Sequence, residues 1–157
     1  MSGGEPGGGH PTPPGGPRVP EGVYPSLTYA DPLAAIEFLC EGFGFTKRLV
    51  VPAEDGGVMH SELSLGNAVV MVSGNKPDQH RSLPDPGGVP VSLSVYVADP
   101  DAHHARAVAA GATIVRELVS EEYGARGYLC KDPGGHVWYF SDYVPGSWWE
   151  GEVSDSP

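Results

Sequence analysis

The stretch Tyr29-Ala30-Asp31-Pro32-Leu33-Ala34-Ala35-Ile36-Glu37-Phe38-Leu39 decides the fold, because its opening returns 68 residues later as Ala98-Asp99-Pro100. Asp is suited to a helix N-cap and Pro to the first helical position. Leu33, Ile36, Leu39 and Cys40 then fall on one helical stripe, and Gly42 and Gly44 end it. Upstream, Val23 to Tyr29 alternates as a strand. Downstream, strands are expected over Phe45 to Pro52, Val58 to Leu65 and Ala68 to Ser73, with turns at Glu54 to Gly57 and at Gly66-Asn67. After a Pro, Gly and Asp-rich connection the pattern restarts. Val91 to Val97 is a strand, a helix runs to Ala110 and closes on Gly111, and strands follow over Thr113 to Val119, Gly127 to Lys131 and His136 to Tyr143. The Gly134-Gly135 turn matches Gly66 at an offset of 69.

Two units of strand, helix and three strands at nearly constant spacing form an internal repeat. The expected fold is α+β, with two βαβββ modules. Each helix can cover one face of its four-stranded sheet, so the other faces must meet or enclose something. Curved sheets of this kind make a cleft or partial barrel, which suits a ligand. Module one spans 23–74, a linker 75–89 and module two 90–144, together one domain over 23–144. Residues 145–157 read as an acidic C-terminal tail. Residues 1–22 read as disordered, since the first twenty contain seven Gly and six Pro and little to bury.

A net charge of −11 argues against nucleic acid and anionic membrane surfaces as partners. No apolar run approaches the ~20 residues of a membrane span. The opening segment lacks the basic start and apolar region of a secretion signal. Cys40 and Cys130 form no CxxC pair and read as small core residues of a reduced, cytoplasmic protein. Phosphate-loop, dinucleotide and Gly-x-Ser-x-Gly signatures are absent from the sequence.

Strand alternation sorts the side chains by face. Tyr24, Ser26 and Thr28 share one face of the first strand. Val58, His60, Glu62 and Ser64 share one in the third. Ser92, Ser94 and Tyr96 do so in the first strand of module two, and Val137, Tyr139 and Ser141 in the last. The opposite faces carry Leu27, Met59, Leu63, Leu93, Val95, Val97, Trp138 and Phe140, which should pack under the helices. The polar set is therefore expected to line the cleft. His60 and Glu62, two apart on one strand face, are the candidate catalytic residues. Either the carboxylate tunes the imidazole toward acid/base work, or the two satisfy each other and water.

Several stretches resemble a known family. They are Tyr29 to Pro32 with Ala35 to Leu39, Gly42-Phe43-Gly44-Phe45, His60 to Leu63 with Leu65-Gly66, Gly111 to Ile114, and Asp132-Pro133-Gly134-Gly135-His136-Val137-Trp138. Together they are similar to the vicinal oxygen chelate superfamily of glyoxalase, bleomycin-resistance and extradiol dioxygenase relatives. The last stretch, with Tyr123-Gly124-Ala125-Arg126, looks like its PhnB-like branch. The superfamily's metal site takes one side chain from each of four strands, usually His or Glu. Aligned by the motifs, those positions fall on Tyr24, Glu62, Ser92 and Tyr139, of which Glu62 alone is a standard ligand. A divalent metal held by one carboxylate would be weak, and His60, two residues away on the same face, is the residue that could complete a partial site.

The resemblance leaves two functions. One is a metal-free protein binding a small aromatic or polar molecule through Tyr24, Ser26, Thr28, His60, Glu62, Ser92, Ser94, Tyr96, Arg126 and Tyr139, with no cofactor. The other is a lyase, isomerase or dioxygenase using Glu62 and His60. Arg126 pairs either an anionic ligand or a neighbouring acid. Tyr123 serves as a lid or in packing. His103 and His104 read as surface or interface residues, and His136 as a backbone-bonding turn residue. The resemblance and Trp148-Trp149 point to a homodimer, with the aromatic pair docking on the partner or partly disordered.

Overall fold

A computed structural model describes residues 22–150. The tail over 1–22, Gly22 apart, and the part of the acidic tail beyond Glu150 lie outside the described residues. The elements are β1 (Ser26–Thr28), α1 (Pro32–Phe43), β2 (Thr46–Pro52), β3 (Val58–Leu65) and β4 (Ala68–Ser73), then β5 (Ser92–Tyr96), α2 (Pro100–Ala110), β6 (Thr113–Ser120), β7 (Arg126–Lys131) and β8 (Val137–Ser141). A 3-10 turn at Pro77–Gln79 lies in the connection between the modules.

The repeat is plain in the pairing. The first sheet has the order β1-β4-β3-β2 and the second β5-β8-β7-β6. In each, the strand before the helix pairs in parallel with the last strand of its module, and the other neighbours are antiparallel. Asp31 and Asp99 cap the two helices, their carboxylates accepting from the N–H of Ala34 and Ala102 at 3.1 Å each. The fold is thus the expected α+β pair of βαβββ modules, but the sheets are not closed into a barrel. Among the described residues no strand of one sheet makes an extended contact with a strand of the other.

What joins the modules is one core on the helix side of both sheets. Leu39, Phe43, Leu63 and Val72 from module one pack with Tyr128, Trp138 and Phe140 from module two. The Phe43 ring lies 4.7 Å from that of Phe140 and 5.2 Å from that of Trp138. The helices also pack together. Arg106 on α2 donates from Nε to the Glu41 carbonyl at 2.7 Å and from Nη2 to that of Cys40 at 3.1 Å, satisfying carbonyls left open at the end of α1.

His103 differs from the surface or interface role read from the sequence. It is half-buried in the shared core, with Nδ1 2.6 Å from Tyr128 Oη and its ring 4.1 Å from Phe140. The helical stripe of α2 is too weakly apolar to show which side it packs. Burial holds the His103 imidazole below its ordinary value. Both cysteines are free, and Cys130 is fully buried, its thiol pushed up to about 12 by burial and then by Asp132.

A second joint is polar. Tyr29 Oη and Trp138 Nε1 both donate to Oδ2 of buried Asp132, the indole at 3.0 Å. The His136 N–H donates to Oδ1 at 3.0 Å. Tyr29 crosses the β7–β8 turn so closely that a Cβ on Gly134 would lie 2.2 Å from its ring, which requires glycine there. His136 Nε2 donates to the Thr28 carbonyl at 2.8 Å, and its ring lies 4.6 Å from that of Tyr29.

Asp132→Ala strands the Tyr29 hydroxyl and the Trp138 indole N–H inside the core. It should lower unfolding free energy by about 2–5 kcal/mol in urea melts, while Asp132→Asn, which keeps an acceptor, should lose less. An Asp132→Ala protein as stable as the parent contradicts this account of the joint. His103 predicts a pH effect. Its folded value is depressed, so below the ordinary value of ~6.5 the unfolded chain binds more protons than the folded one. Its contribution is therefore complete above that pH and is lost as pH falls through the depressed value. His103→Gln should shallow the fall in stability between neutral and acidic pH. An unchanged slope shows that His103 does not carry it.

Candidate functional site

The faces turned away from the helices hold most of the polar set. On β3, Ser61 and Leu63 are fully buried, while His60 and Glu62 lie on the other side with side chains 38% and 44% exposed. His60 Nε2 and Glu62 Oε1 are 3.0 Å apart. Ser61 anchors this segment from beneath. Its hydroxyl donates to the Val72 carbonyl at 2.6 Å and accepts the Val72 N–H at 3.1 Å, beyond the point where the β3–β4 ladder stops at Leu63–Val70. Met59, expected under the helix, is exposed, and Val58 is buried in its place. The β2–β3 register shifts between Val51–His60 and Pro52–Val58, and a bulge there reverses the alternation.

The first strand brings less to the surface than expected. Ser26 is exposed and Tyr24, before the strand, is half-buried. Thr28 is only 4% exposed, with its carbonyl held by His136, so it offers a ligand no surface. Alternation assigns a face but cannot show that a turn from the other module will cover it.

In module two, register rows define the open face. Ser94 pairs with Tyr139, Tyr139 with Leu129 and Leu129 with Arg116. Beside this row, Tyr96 pairs with Ser141, Ser141 with Gly127 and Gly127 with Val119; on the other side Ser92 pairs with Val137. Ser92 and Ser94 are exposed, Tyr96 is 55% exposed and Tyr139 half-buried, whereas Trp138 beneath them is fully buried. Arg116 Cζ sits 5.6 Å from the Tyr139 ring centroid, and Arg116 Nη2 pairs with Glu121 Oε1 at 2.6 Å. Tyr123 Oη lies 3.1 Å from Tyr139 Oη, and that hydrogen bond, with some desolvation, holds the Tyr123 phenol up at about 12.

Arg116 was hidden from sequence reasoning. Strict alternation from Thr113 puts it under the helix with Ile114. The register shifts between Ile114 and Arg116, and again between Arg116 and Val119, so Thr113, Arg116 and Val119 share the open face. Arg126 is a correction in the other direction. Its neighbour Gly127 occupies the open face, so its side chain turns toward α2. There it forms a two-armed pair with Asp101, Nε–Oδ2 and Nη2–Oδ1 both 2.9 Å, which lowers the Asp101 carboxyl. Of the two readings of Arg126, the pair with an acidic neighbour is the one seen, with Asp101 as the partner.

Among the described residues no hydrogen bond, ion pair or ring contact joins His60 or Glu62 on β3 to Ser92, Ser94, Tyr96 or Tyr139 on β5 and β8. These residues form two half-sites, one on each sheet. Among the described residues no group of three or more His, Cys, Asp or Glu could hold a metal ion. The four positions carry a phenol just before β1, a carboxylate on β3, a hydroxyl on β5 and a second phenol on β8, and this donor set does not fit a catalytic divalent ion.

Two βαβββ modules, each with a polar sheet face turned from a common core, define a protein of vicinal oxygen chelate architecture. The chain belongs to the Glyoxalase/Bleomycin resistance protein/Dioxygenase superfamily, which it matches over residues 23–140. It is 32% identical over 125 residues to an uncharacterised protein of Mycobacterium bovis, covering 77% of this chain and 82% of that one. Among solved structures it is similar to TioX from Micromonospora sp. ML1, at 34% identity and TM-score 0.66, covering 80% of this chain and 100% of that one. A superfamily enzyme from Burkholderia phytofirmans PsJN shares the fold at 19% identity and TM-score 0.63, covering 75% and 94%.

Proposed function

We propose that this protein binds a small planar, aromatic or polar molecule on its open sheet faces without a metal, and that two copies join to enclose it. The observation that carries this reading is the Tyr139 platform. One phenol ring is flanked by Arg116 at 5.6 Å and Tyr123 at 3.1 Å, with Ser94 beside it in register. Such a surface stacks an aromatic ring and offers hydroxyls and a guanidinium to its polar edge. A single sheet face leaves a ligand half in water, so a second wall is needed. The His60–Glu62 face of a second copy supplies polar groups of the right kind. Exposed Tyr96, Val91, Val115, Leu49 and Met59 provide apolar surface for such an assembly. The proposed homodimer works in the cytoplasm, where Cys40 and Cys130 stay reduced. The PhnB-like branch belongs to this reading through Asp132 to Trp138.

A second reading is favoured by one contact, the 3.0 Å His60–Glu62 pair, which orients the imidazole as an acid/base group. It predicts turnover abolished by His60→Ala.

The test is a thermal-shift panel of aromatic metabolites and antibiotics, with and without chelator, followed by calorimetry on the best binder. Tyr139→Ala should weaken binding by roughly 1–3 kcal/mol with little change in melting temperature, and chelator should have no effect. Light scattering at micromolar protein should give twice the chain mass. Binding that needs added metal and is lost on Glu62→Ala overturns the metal-free reading, and a monomer mass overturns the shared site.

A further inference from the structure

Beyond the two sheet faces, a cavity of ≈ 260 Å³ opens between the β6–β7 turn and the segment after β8. Tyr123, Tyr143 and Trp148 line it, with Asp142 and Ser147. The Tyr123 and Tyr143 rings stand at 85° with centroids 5.6 Å apart, forming two walls of a corner. Trp148 supplies a third aromatic wall and remains 69% exposed. Its position is set locally. The Ser147 hydroxyl donates to the Val144 carbonyl at 2.6 Å, the Ser147 N–H donates to the same oxygen at 3.2 Å, and the Trp149 N–H donates to the Gly146 carbonyl at 3.0 Å. Two tight turns thus fix the backbone on either side of Trp148, whose ring lines the cavity and stays exposed.

The lining residues themselves carry charge of one sign. Aromatic faces present the negative side of their quadrupoles. Asp142 adds a carboxylate, whose Oδ1 accepts the Arg126 N–H at 2.7 Å. Two guanidiniums lie around the cavity, each already paired: Arg126 gives Nε and Nη2 to Asp101 and Nη1 to Ser120, and Arg116, which acts on Tyr123, pairs with Glu121. No lining residue is cationic. A neutral apolar group would gain nothing from the carboxylate. A bare ammonium would find few hydrogen-bond acceptors to replace its water. A cation sheathed in alkyl groups matches both the rings and the charge, as in cation–π recognition.

We propose that this cavity is a binding site for a quaternary or multiply alkylated ammonium group, with Tyr123, Tyr143 and Trp148 as its aromatic walls and Asp142 as its counter-charge. The site shares Tyr123 with the Tyr139 platform through the Tyr123–Tyr139 hydroxyl contact, while Tyr143, Trp148 and Asp142 belong to the cavity and not to the platform.

The experiment uses the full chain at constant ionic strength. Choline and tetramethylammonium are titrated while tryptophan fluorescence and the indole N–H resonances are followed, beside the uncharged choline analogue 3,3-dimethylbutan-1-ol. Saturable binding of both cations is expected, with the neutral alcohol much weaker. Trp148→Leu and Tyr143→Leu should each weaken choline about 3- to 30-fold. Asp142→Asn, which keeps an acceptor for the Arg126 N–H, should also weaken it. Ser94→Arg, which obstructs the sheet face, should leave choline affinity unchanged while abolishing binding on the Tyr139 platform, so the two sites fail separately. Trp148 is exposed, so its replacement tests the site even where Tyr143→Leu fails to fold. Equal affinity for the neutral alcohol, absence of saturation, or unchanged choline binding in a folded Trp148→Leu protein overturns the proposal.

Discussion

Asp132 accepts hydrogen bonds from Tyr29 of one module and Trp138 of the other in a place that water does not reach. A buried carboxylate is tolerable only when its oxygens are occupied, and here both are, the second by the His136 N–H. Each part of the Asp132 to Trp138 stretch has a duty in that arrangement. Gly134 lets the Tyr29 ring pass, His136 reaches back to the Thr28 carbonyl, and Trp138 fills the shared core while donating its N–H. Burial, and then the Asp132 charge, push the Tyr29 phenol well above its ordinary value, so it stays a donor. With the helix sides of both sheets committed to this joint and to the Phe43 cluster, the polar faces are left outside the core. The placement of the half-sites follows from the placement of the core.

This division explains how much could be read from the chain. The repeat, both helices and their caps, and every strand are local features, and local patterning shows them. Face assignment also follows where strands are regular, as with Leu63 against Glu62 or Trp138 against Tyr139. It fails where a bulge adds a residue. Met59 turns outward and Arg116 reaches the Tyr139 row for the same reason, and neither shift has a sequence mark as clear as a glycine. Burial imposed by the other module is equally hidden. Thr28 looked like a face residue, and His103 a surface or interface one, until α1 and the β7–β8 turn supplied partners from far along the chain.

The chemistry of the open faces points away from Lewis-acid catalysis at the superfamily's four positions. Phenols and hydroxyls remain protonated near neutral pH and are poor ligands for a hard or borderline divalent ion. The same groups are good at reading the edges of a neutral ring. Each half-site alone is shallow, and shallow polar surfaces bind small molecules weakly because water competes on the uncovered side. In the proposed binding role, enclosure by a second wall therefore counts for more than any single contact.

Such a division also shows why these four positions are free to differ from a metal set. Tyr24, Glu62, Ser92 and Tyr139 are exposed or half-buried, and none takes part in the joint at Asp132 or in the Phe43 cluster. Exchanging a side chain there alters what the face carries while leaving the Asp132 joint and the Phe43 cluster in place. Trp138, one residue from Tyr139, has no such freedom, because its ring meets those of Phe43, Phe45 and Phe140 and its N–H serves Asp132. Alternation thus places a residue bound by packing next to one on the open face. A likeness in the fixed half of the pattern identifies the superfamily, while the activity must be read from the other half, where this chain carries two phenols, a hydroxyl and one carboxylate.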